Sequence, residues 1–365
     1  YEFSQDKLKA DTSLHMKSHV VMSPMPPMSM DMDYTTDRYN EGKQSNHAVF
    51  ASMESQLPND FVVNYGVRYT YVDSEMSQAL ASKNGYRTMN MPGPMAGTKY
   101  FNNENDGSAG KTGSNHNDHF VFNAGITWTG VEDLALRATW SQGFRAPLLQ
   151  EKYLQNNMGG GSVQGNPDLK PETSDNFELG ARCNRGPVHV DVTSFYSMAD
   201  DYITKDLTDS STNSSRYINA DKAKTFGIEA SLAYTLVDRY TPYVTVTTMR
   251  RKLEKQGYST YESGTPALFA RYGLKTNHEL FGGVLTTDTY ARSQTATKTY
   301  SYSTDETTRI AGFTTFNFGA GYRFGKGGNY AVDAEFLNIF NQTYQYNTSS
   351  YEAGRSFNVK LTAHY

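Results

Sequence analysis

The chain has 365 residues, of which 37% are hydrophobic, with a mean hydropathy of −0.65 and a formal net charge of −4. No run of about 18 apolar residues occurs, which excludes a helical membrane protein. The near-neutral charge leaves no electrostatic footprint for nucleic acid, and 27 Tyr with 19 Phe are too many for a disordered chain. Low mean hydropathy combined with many aromatics and 30 Gly fits a transmembrane β-barrel. In such a barrel only alternate residues meet lipid, and aromatic girdles mark the two interfaces. The length exceeds an ordinary single-core domain, and one large barrel over 1–365 accounts for it. Cys183 is the single cysteine, so no internal disulfide forms. No signal peptide is read at the start, as in a mature or truncated chain.

Alternation with a period of two predicts fourteen strands. They lie near 1–13, 44–56, 60–74, 117–128, 132–144, 172–184, 186–204, 220–236, 239–252, 263–275, 282–296, 309–324, 329–341 and 354–365. In the fourth, Phe120, Phe122, Ile126 and Trp128 share one face, with Asn123 and Thr127 on the other. In the fifth, Leu134, Leu136, Ala138 and Trp140 oppose Arg137, Thr139 and Ser141. In the sixth, Phe177, Leu179, Ala181 and Cys183 oppose Glu178, Gly180 and Arg182. Phe316, Phe318, Ala320, Tyr322 and Phe324 line the twelfth. The last carries Phe357, Val359, Leu361, Ala363 and Tyr365 against Ser356, Asn358, Lys360, Thr362 and His364. The polar positions Asn64, Arg68, Asn123, Arg137, Glu178, Arg182, Glu229 and Glu335 are expected to form a solvated lumen wall. A one-residue slip would carry every apolar side chain off the lipid face, so register is tightly specified.

Connections alternate as well. Short turns fall at 57–59, 130–133, 184–186, 237–238, 277–282 and 325–328. Long loops fall at about 14–43, 75–116, 145–171, 205–219, 253–262, 297–308 and 342–353. Short turns on one rim and long loops on the other are the outer-membrane pattern. With an even strand count and a periplasmic C-terminus, every long loop faces outside.

The stretch from Trp140 to Gly180 leaves a strand at Gly143, makes a Gly- and Asn-rich excursion and returns into another strand. Pro147, Pro167 and Pro171 cannot donate to a ladder and sit where pairing stops. Gly143-Phe144-Arg145-Ala146-Pro147, then Asn166-Pro167-Asp168-Leu169-Lys170-Pro171-Glu172, then Glu178-Leu179-Gly180, resembles the signature segment of TonB-dependent outer-membrane receptors. The pairing of the two motifs is most similar to the haem and haemoglobin receptors of that family. That branch places a histidine between the motifs, whereas residues 148–165 contain none.

The resemblance implies an all-β transmembrane antiparallel barrel of about 22 strands. These fourteen would be its C-terminal part, with the N-terminal plug and energy-coupling box absent from this chain. It implies energy-coupled uptake of a scarce metal chelate, an iron-siderophore or haem, with no intrinsic cofactor. The implied partners are outer-membrane lipid of a Gram-negative bacterium, a TonB-type energy-coupling protein reached through the missing N-terminal region, the chelate itself, and colicin or phage.

Candidate ligand contacts come from the residues themselves. Arg145, Lys152, Tyr153 and Lys170 suit an anionic siderophore, since Arg recognises carboxylate bidentately; for Arg145 a brace to a neighbouring Glu is the competing role. Eleven of the fourteen Met fall on expected external loops, among them Met25, Met28, Met30, Met32, Met89, Met91, Met95 and Met158. Met28-Ser29-Met30-Asp31-Met32 would put three thioethers on one side if extended. Thioethers favour Cu(I), and imidazole suits copper, zinc or haem iron. Met28, Met30, Met32, Met89 and Met91, with His15, His19, His116 and His119, therefore form a candidate metal set, and copper uptake is the alternative function. The competing reading of the Met residues is adaptable packing between loops. A reading of another class is a passive fourteen-stranded porin or a surface adhesin. No phosphate-binding glycine loop, HExxH, GxSxG or cysteine cluster is present, so no enzyme is expected.

Overall fold

The computed structural model describes residues 1–22, 28–91, 94, 96–104, 110–158, 161–209, 214–348 and 350–364. Among the described residues the fold is an antiparallel meander of fourteen main strands, with six further strands besides. Its main strands are β1 (Glu2–Met22), β2 (Met28–Leu57), β3 (Phe61–Asn90), β4 (Gly113–Val131), β5 (Leu134–Arg145), β6 (Glu172–Arg185) and β7 (Val188–Asp209). They continue as β8 (Ser214–Tyr234), β9 (Tyr240–Lys255), β10 (Leu268–Leu280), β11 (Gly283–Gln294), β12 (Phe313–Phe324), β13 (Tyr330–Leu337) and β14 (Ser356–Ala363). Each strand pairs with the one before it. Among the described residues no ladder joins β1 to β14, so the sheet is open, unlike a closed fourteen-stranded porin. Every expected strand is present, including β9 and β11, whose Thr-rich faces blur the alternation.

The two faces follow the residue pattern. Phe122, Ile126, Phe177, Leu179, Ile228 and Leu232 stay exposed on the apolar face, Leu179 at 65%. In a membrane barrel this is the lipid face. The opposite face is polar and cross-linked. Arg137 donates to Thr193 Oγ1 at 2.6 Å and lies 3.6 Å from Asp191, which also accepts from Arg182 at 2.6 Å. Further round, Asp288 accepts from Tyr243 at 2.9 Å and from Arg271 at 2.8 Å. Gly180 permits the first of these networks, because a Cβ there would sit 2.4 Å from Arg137 Nε.

The expected loops 14–43 and 75–116 are corrected. Strand pairing runs on through both: β1 pairs with β2 without a break up to Met22–Met28, and β2 with β3 up to Ser29–Asn90, past a bulge at Glu41/Gly42. A further strand, Gly97–Glu104, adds to the outer part of β3. These segments carry alternating residues too, Met-Ser-Met-Asp-Met-Asp being a strand pattern in its own right. They form an arm that continues the sheet beyond the barrel wall. Three other loops are partly regular. Residues 155–158 pair with 161–164, 297–301 with 306–310, and β7 with β8 as far as Asp209–Ser214. The penultimate strand stops at Leu337 rather than 341. Asn338 and Asn341 have φ of 50° and 55°, and the Asn338 side chain bonds both ways with the Gln342 backbone. Tyr365, expected on the last strand, lies outside the described residues.

Candidate functional site

The signature segment folds into a buried knot on the outer rim. Pro147 ends β5, and residues Leu149–Lys152 form one helical turn, α1. Arg145 Nη1 donates to both Glu151 oxygens at 2.9 and 3.1 Å, and Nη2 lies 3.4 Å from Glu172 Oε2. Glu151 also accepts from the Leu148 N–H at 2.9 Å, and Glu172 from the Ile203 N–H at 3.0 Å. Arg145 thus clamps α1 to the start of β6. Pro147 is fully buried, and its carbonyl accepts from buried Gln44 on β2 at 3.2 Å.

The second half of the motif closes the knot. Asn166 Oδ1 accepts from the Asp168 N–H at 3.2 Å, setting the turn at Pro167, and from Arg216 at 2.9 Å. Its amide nitrogen donates to the Tyr217 carbonyl, so the β7–β8 hairpin is pinned to this loop. Leu169 is buried, and Ala146 beside Pro147 is too. Phe144 lies flat against His119, ring centroids 5.4 Å apart. Gly143 faces Ser174, where a Cβ would come within 2.5 Å of the hydroxyl.

Of the four candidate ligand contacts, three point into this packing. Lys152 is 4% exposed and donates to the Leu169 carbonyl at 3.2 Å. Burial lowers its pKa from the usual lysine value, with Asp168 opposing the shift. Tyr153 is buried against Met76 and Leu149, with Leu8 and Leu154 alongside, and burial raises its phenol. Arg145 is held by its two carboxylates. Lys170 is the most open of the four, its side chain 70% exposed and its ammonium 3.9 Å from Asp201.

The arm separates the candidate metal ligands. Met30 is the register partner of Val20 and Met89, and Met32 that of Ser18 and Arg87. Met16, Met30, Met32 and Met89 therefore share one face. His15 and His19 occupy the other, with His15 2.8 Å from Asp33 and His19 2.5 Å from Asp31. These hydrogen bonds hold both carboxylates below their ordinary pKa. His116 stacks on Tyr71 at 6.2 Å, within an aromatic row with His47 and Phe3. Met91 follows the end of β3. Met25, Met95 and the side chains of Met28 and Met158 lie outside the described residues. Among the described residues no three His, Cys, Asp or Glu gather as a metal cluster. Alternation places the thioethers and the two β1 imidazoles on opposite sides of one ribbon.

The sequence reading missed the rim formed by the 297–310 hairpin. Asp206, 4% exposed, accepts from Ser301 Oγ at 3.2 Å, from the Tyr302 N–H at 2.9 Å and from the Ser303 hydroxyl. This clasp ties the hairpin to β7. Burial with Asp206 alongside pushes the Tyr302 phenol up to about 12. Beside the clasp lies a cavity of about 550 Å³ whose lining includes Lys205, Ser215, Thr299, Tyr300 and Tyr346. Arg292 donates to the Tyr346 hydroxyl and sits over its ring. These contacts join segments about 95 residues apart, so no local spacing announces them; the one available signal was the number of Tyr in supposed loops.

Residues 17–341 match the family described as TonB dependent receptor-like, beta-barrel. The ferric aerobactin receptor of Klebsiella pneumoniae is 27% identical over 218 residues, covering 56% of this chain and 27% of that protein. An iron-regulated outer membrane virulence protein of Vibrio cholerae is 32% identical over 143 residues, covering 34% of this chain and 21% of that one. Among solved structures, the copper transporter OprC superimposes with a TM-score of 0.66 at 14% identity, over 98% of this chain and 58% of its own. That likeness is one of fold. In each case the match takes in less than two thirds of the other protein's length.

Proposed function

This chain belongs to the family of TonB-dependent receptor β-barrels, and from that premise we propose that it serves energy-coupled uptake of a ferric chelate across the outer membrane. The observation that carries the reading is the outer rim. There the Asp206 clasp holds the 297–310 hairpin beside a cavity of about 550 Å³ whose lining includes Lys205, Tyr300 and Tyr346. Cationic and phenolic groups on preorganised loops suit an anionic iron-siderophore. The ferric aerobactin receptor among the relatives supports the same cargo. Haem is less favoured, because residues 148–165 supply no histidine.

The barrel acts as wall and ligand mouth and carries out no bond chemistry. The free edges of β1 and β14 call for further strands, since an unpaired backbone group in hydrocarbon costs several kcal/mol. About eight more strands and a plug contacting the polar face would complete the receptor, and a TonB-type protein would act on that plug. A second cargo, copper, is favoured by one observation, the thioether row on the arm.

The test is binding of ferric aerobactin, a ferric catecholate and haemin to the refolded full-length receptor, followed by quenching of intrinsic fluorescence. A Lys205→Ala/Tyr346→Ala variant runs in parallel. Binding of a ferric siderophore that weakens in the variant is the expected result. A folded receptor that binds none of the three would overturn the proposal.

A further inference from the structure

Methionines that the sequence scatters over two segments meet on one face of the arm. Met30 and Met32 alternate with Ser29, Asp31 and Asp33 along β2, and Met89 on β3 is the register partner of Met30. Directly opposed residues in an antiparallel pair hold their Cβ atoms about 4.5–5.5 Å apart, and diagonal neighbours stand about 7–8 Å apart. Neighbours two along a strand are about 6.8 Å apart. Each thioether sits on an unbranched stem with three rotatable bonds, so the sulfurs of Met30, Met32 and Met89 can converge above the ribbon. All three are half-buried.

Packing accounts for Met76, which is 1% exposed between Leu149 and Tyr153. Packing also serves the neighbouring rows of this face, where Val20 opposes Met30 and Met16 opposes Tyr34, but the row through Met32 runs Ser18, Met32, Arg87, Lys99. An apolar filling would not be threaded between a hydroxyl and two cations.

We propose that Met30, Met32 and Met89 form an all-thioether site for a soft monovalent metal ion, Cu(I), with Ag(I) as its redox-inert surrogate. Softness is the first source of selectivity, since thioethers favour Cu(I). Geometry is the second. The β1 imidazoles lie on the opposite face, held by Asp31 and Asp33, so an ion that needs imidazole ligands finds none on this face. Charge is the third. Arg87 is exposed and its repulsion is screened by water, but any repulsion from it doubles for a divalent ion. Lys99 is paired with Glu104 at 2.9 Å. The site stands apart from the chelate reading, because it needs neither the rim cavity nor a plug.

The experiment uses the full-length receptor refolded in detergent. Ag(I) is titrated calorimetrically, and Cu(I) is titrated under ascorbate against a colorimetric Cu(I) chelator. Variants are Met30→Leu, Met32→Leu, Met89→Leu, Arg87→Gln and His15→Ala/His19→Ala. Leu keeps the apolar volume and removes sulfur. One ion per chain is expected, with each Met→Leu change weakening it at least as much as the ~10–100-fold seen on losing a residue that merely supports a metal ligand. Arg87→Gln should tighten binding, the His double variant should leave it unchanged, and excess Zn(II) should not compete. X-ray absorption at the copper edge of the parent chain, which needs no variant to fold, should show sulfur scatterers alone. Absent binding, Met→Leu variants that bind like the parent, or nitrogen and oxygen scatterers at the copper would each overturn the site.

Discussion

Replacing Glu151 tests whether the signature segment is a mechanical clamp. Glu151 is 8% exposed and accepts from Arg145 and from the Leu148 N–H. Removing one partner of a fully buried ion pair costs about 3–5 kcal/mol. Here the Arg145 side chain is 39% exposed and keeps Glu172, so solvent and the second carboxylate reduce that to about 2 kcal/mol. The orphaned Leu148 N–H adds about 1 kcal/mol. Glu151→Ala should therefore cost about 3 kcal/mol of local stability, roughly a hundredfold in the opening equilibrium. The readout is amide hydrogen exchange over residues 146–170 in detergent, because global melting would report the strand ladders instead. Glu151→Gln, which keeps an acceptor for Leu148 but loses the charge, should cost about half as much. In a double-mutant cycle with Arg145→Met the coupling should be about 2 kcal/mol. Unchanged protection of 146–170 in Glu151→Ala, or strict additivity in the cycle, would refute the clamp.

Three more outcomes follow from the same geometry. Burial lowers the Lys152 pKa, so the unfolded state holds more protons between that lowered value and the ordinary 10.5, and stability of the knot should rise with pH through that window. Lys152→Met should abolish the slope in alkaline exchange measurements. Leu179→Arg on the lipid face should cost about 2–4 kcal/mol in urea unfolding from bilayers, whereas Glu178→Gln one residue away should stay within about 0.5 kcal/mol. His15 and His19 hold Asp33 and Asp31 below 3.8, so the arm's exchange protection should persist above that pH and fall as pH drops further. A His15→Ala/His19→Ala variant that still shows this acid loss would refute the assignment.

The barrel was largely legible because the membrane imposes a period of two on every strand. Phe120, Phe122 and Ile126 against Asn123 and Thr127 could be sorted by eye, and the register followed. Met30, Asp31, Met32 and Asp33 alternate as strictly as any membrane strand, but their polarity equally fits an external loop. Water exerts no pressure for an apolar face there, so the pattern survives while its hydrophobicity does not. The knot was half legible. Pro147 and Pro167 marked where pairing stops, but nothing local distinguishes a ligand-facing Lys152 from one folded onto the Leu169 carbonyl. The Asp206 clasp was invisible for a plainer reason: its partners are about 95 residues distant in sequence.

The two-faced arm also bears on how such a receptor can change. Within the barrel wall a single inserted residue would push charged side chains into hydrocarbon and be lost. On the arm no lipid penalises the flip. One codon inserted in β2 between Met32 and the barrel wall would turn Met30 and Met32 to the face that carries the β1 imidazoles and send Asp31 and Asp33 to the other. Two would restore the original arrangement one step further along. The outer part of β1–β3 is thus a segment where insertions and deletions, rather than substitutions, are the short route from one set of presented side chains to another.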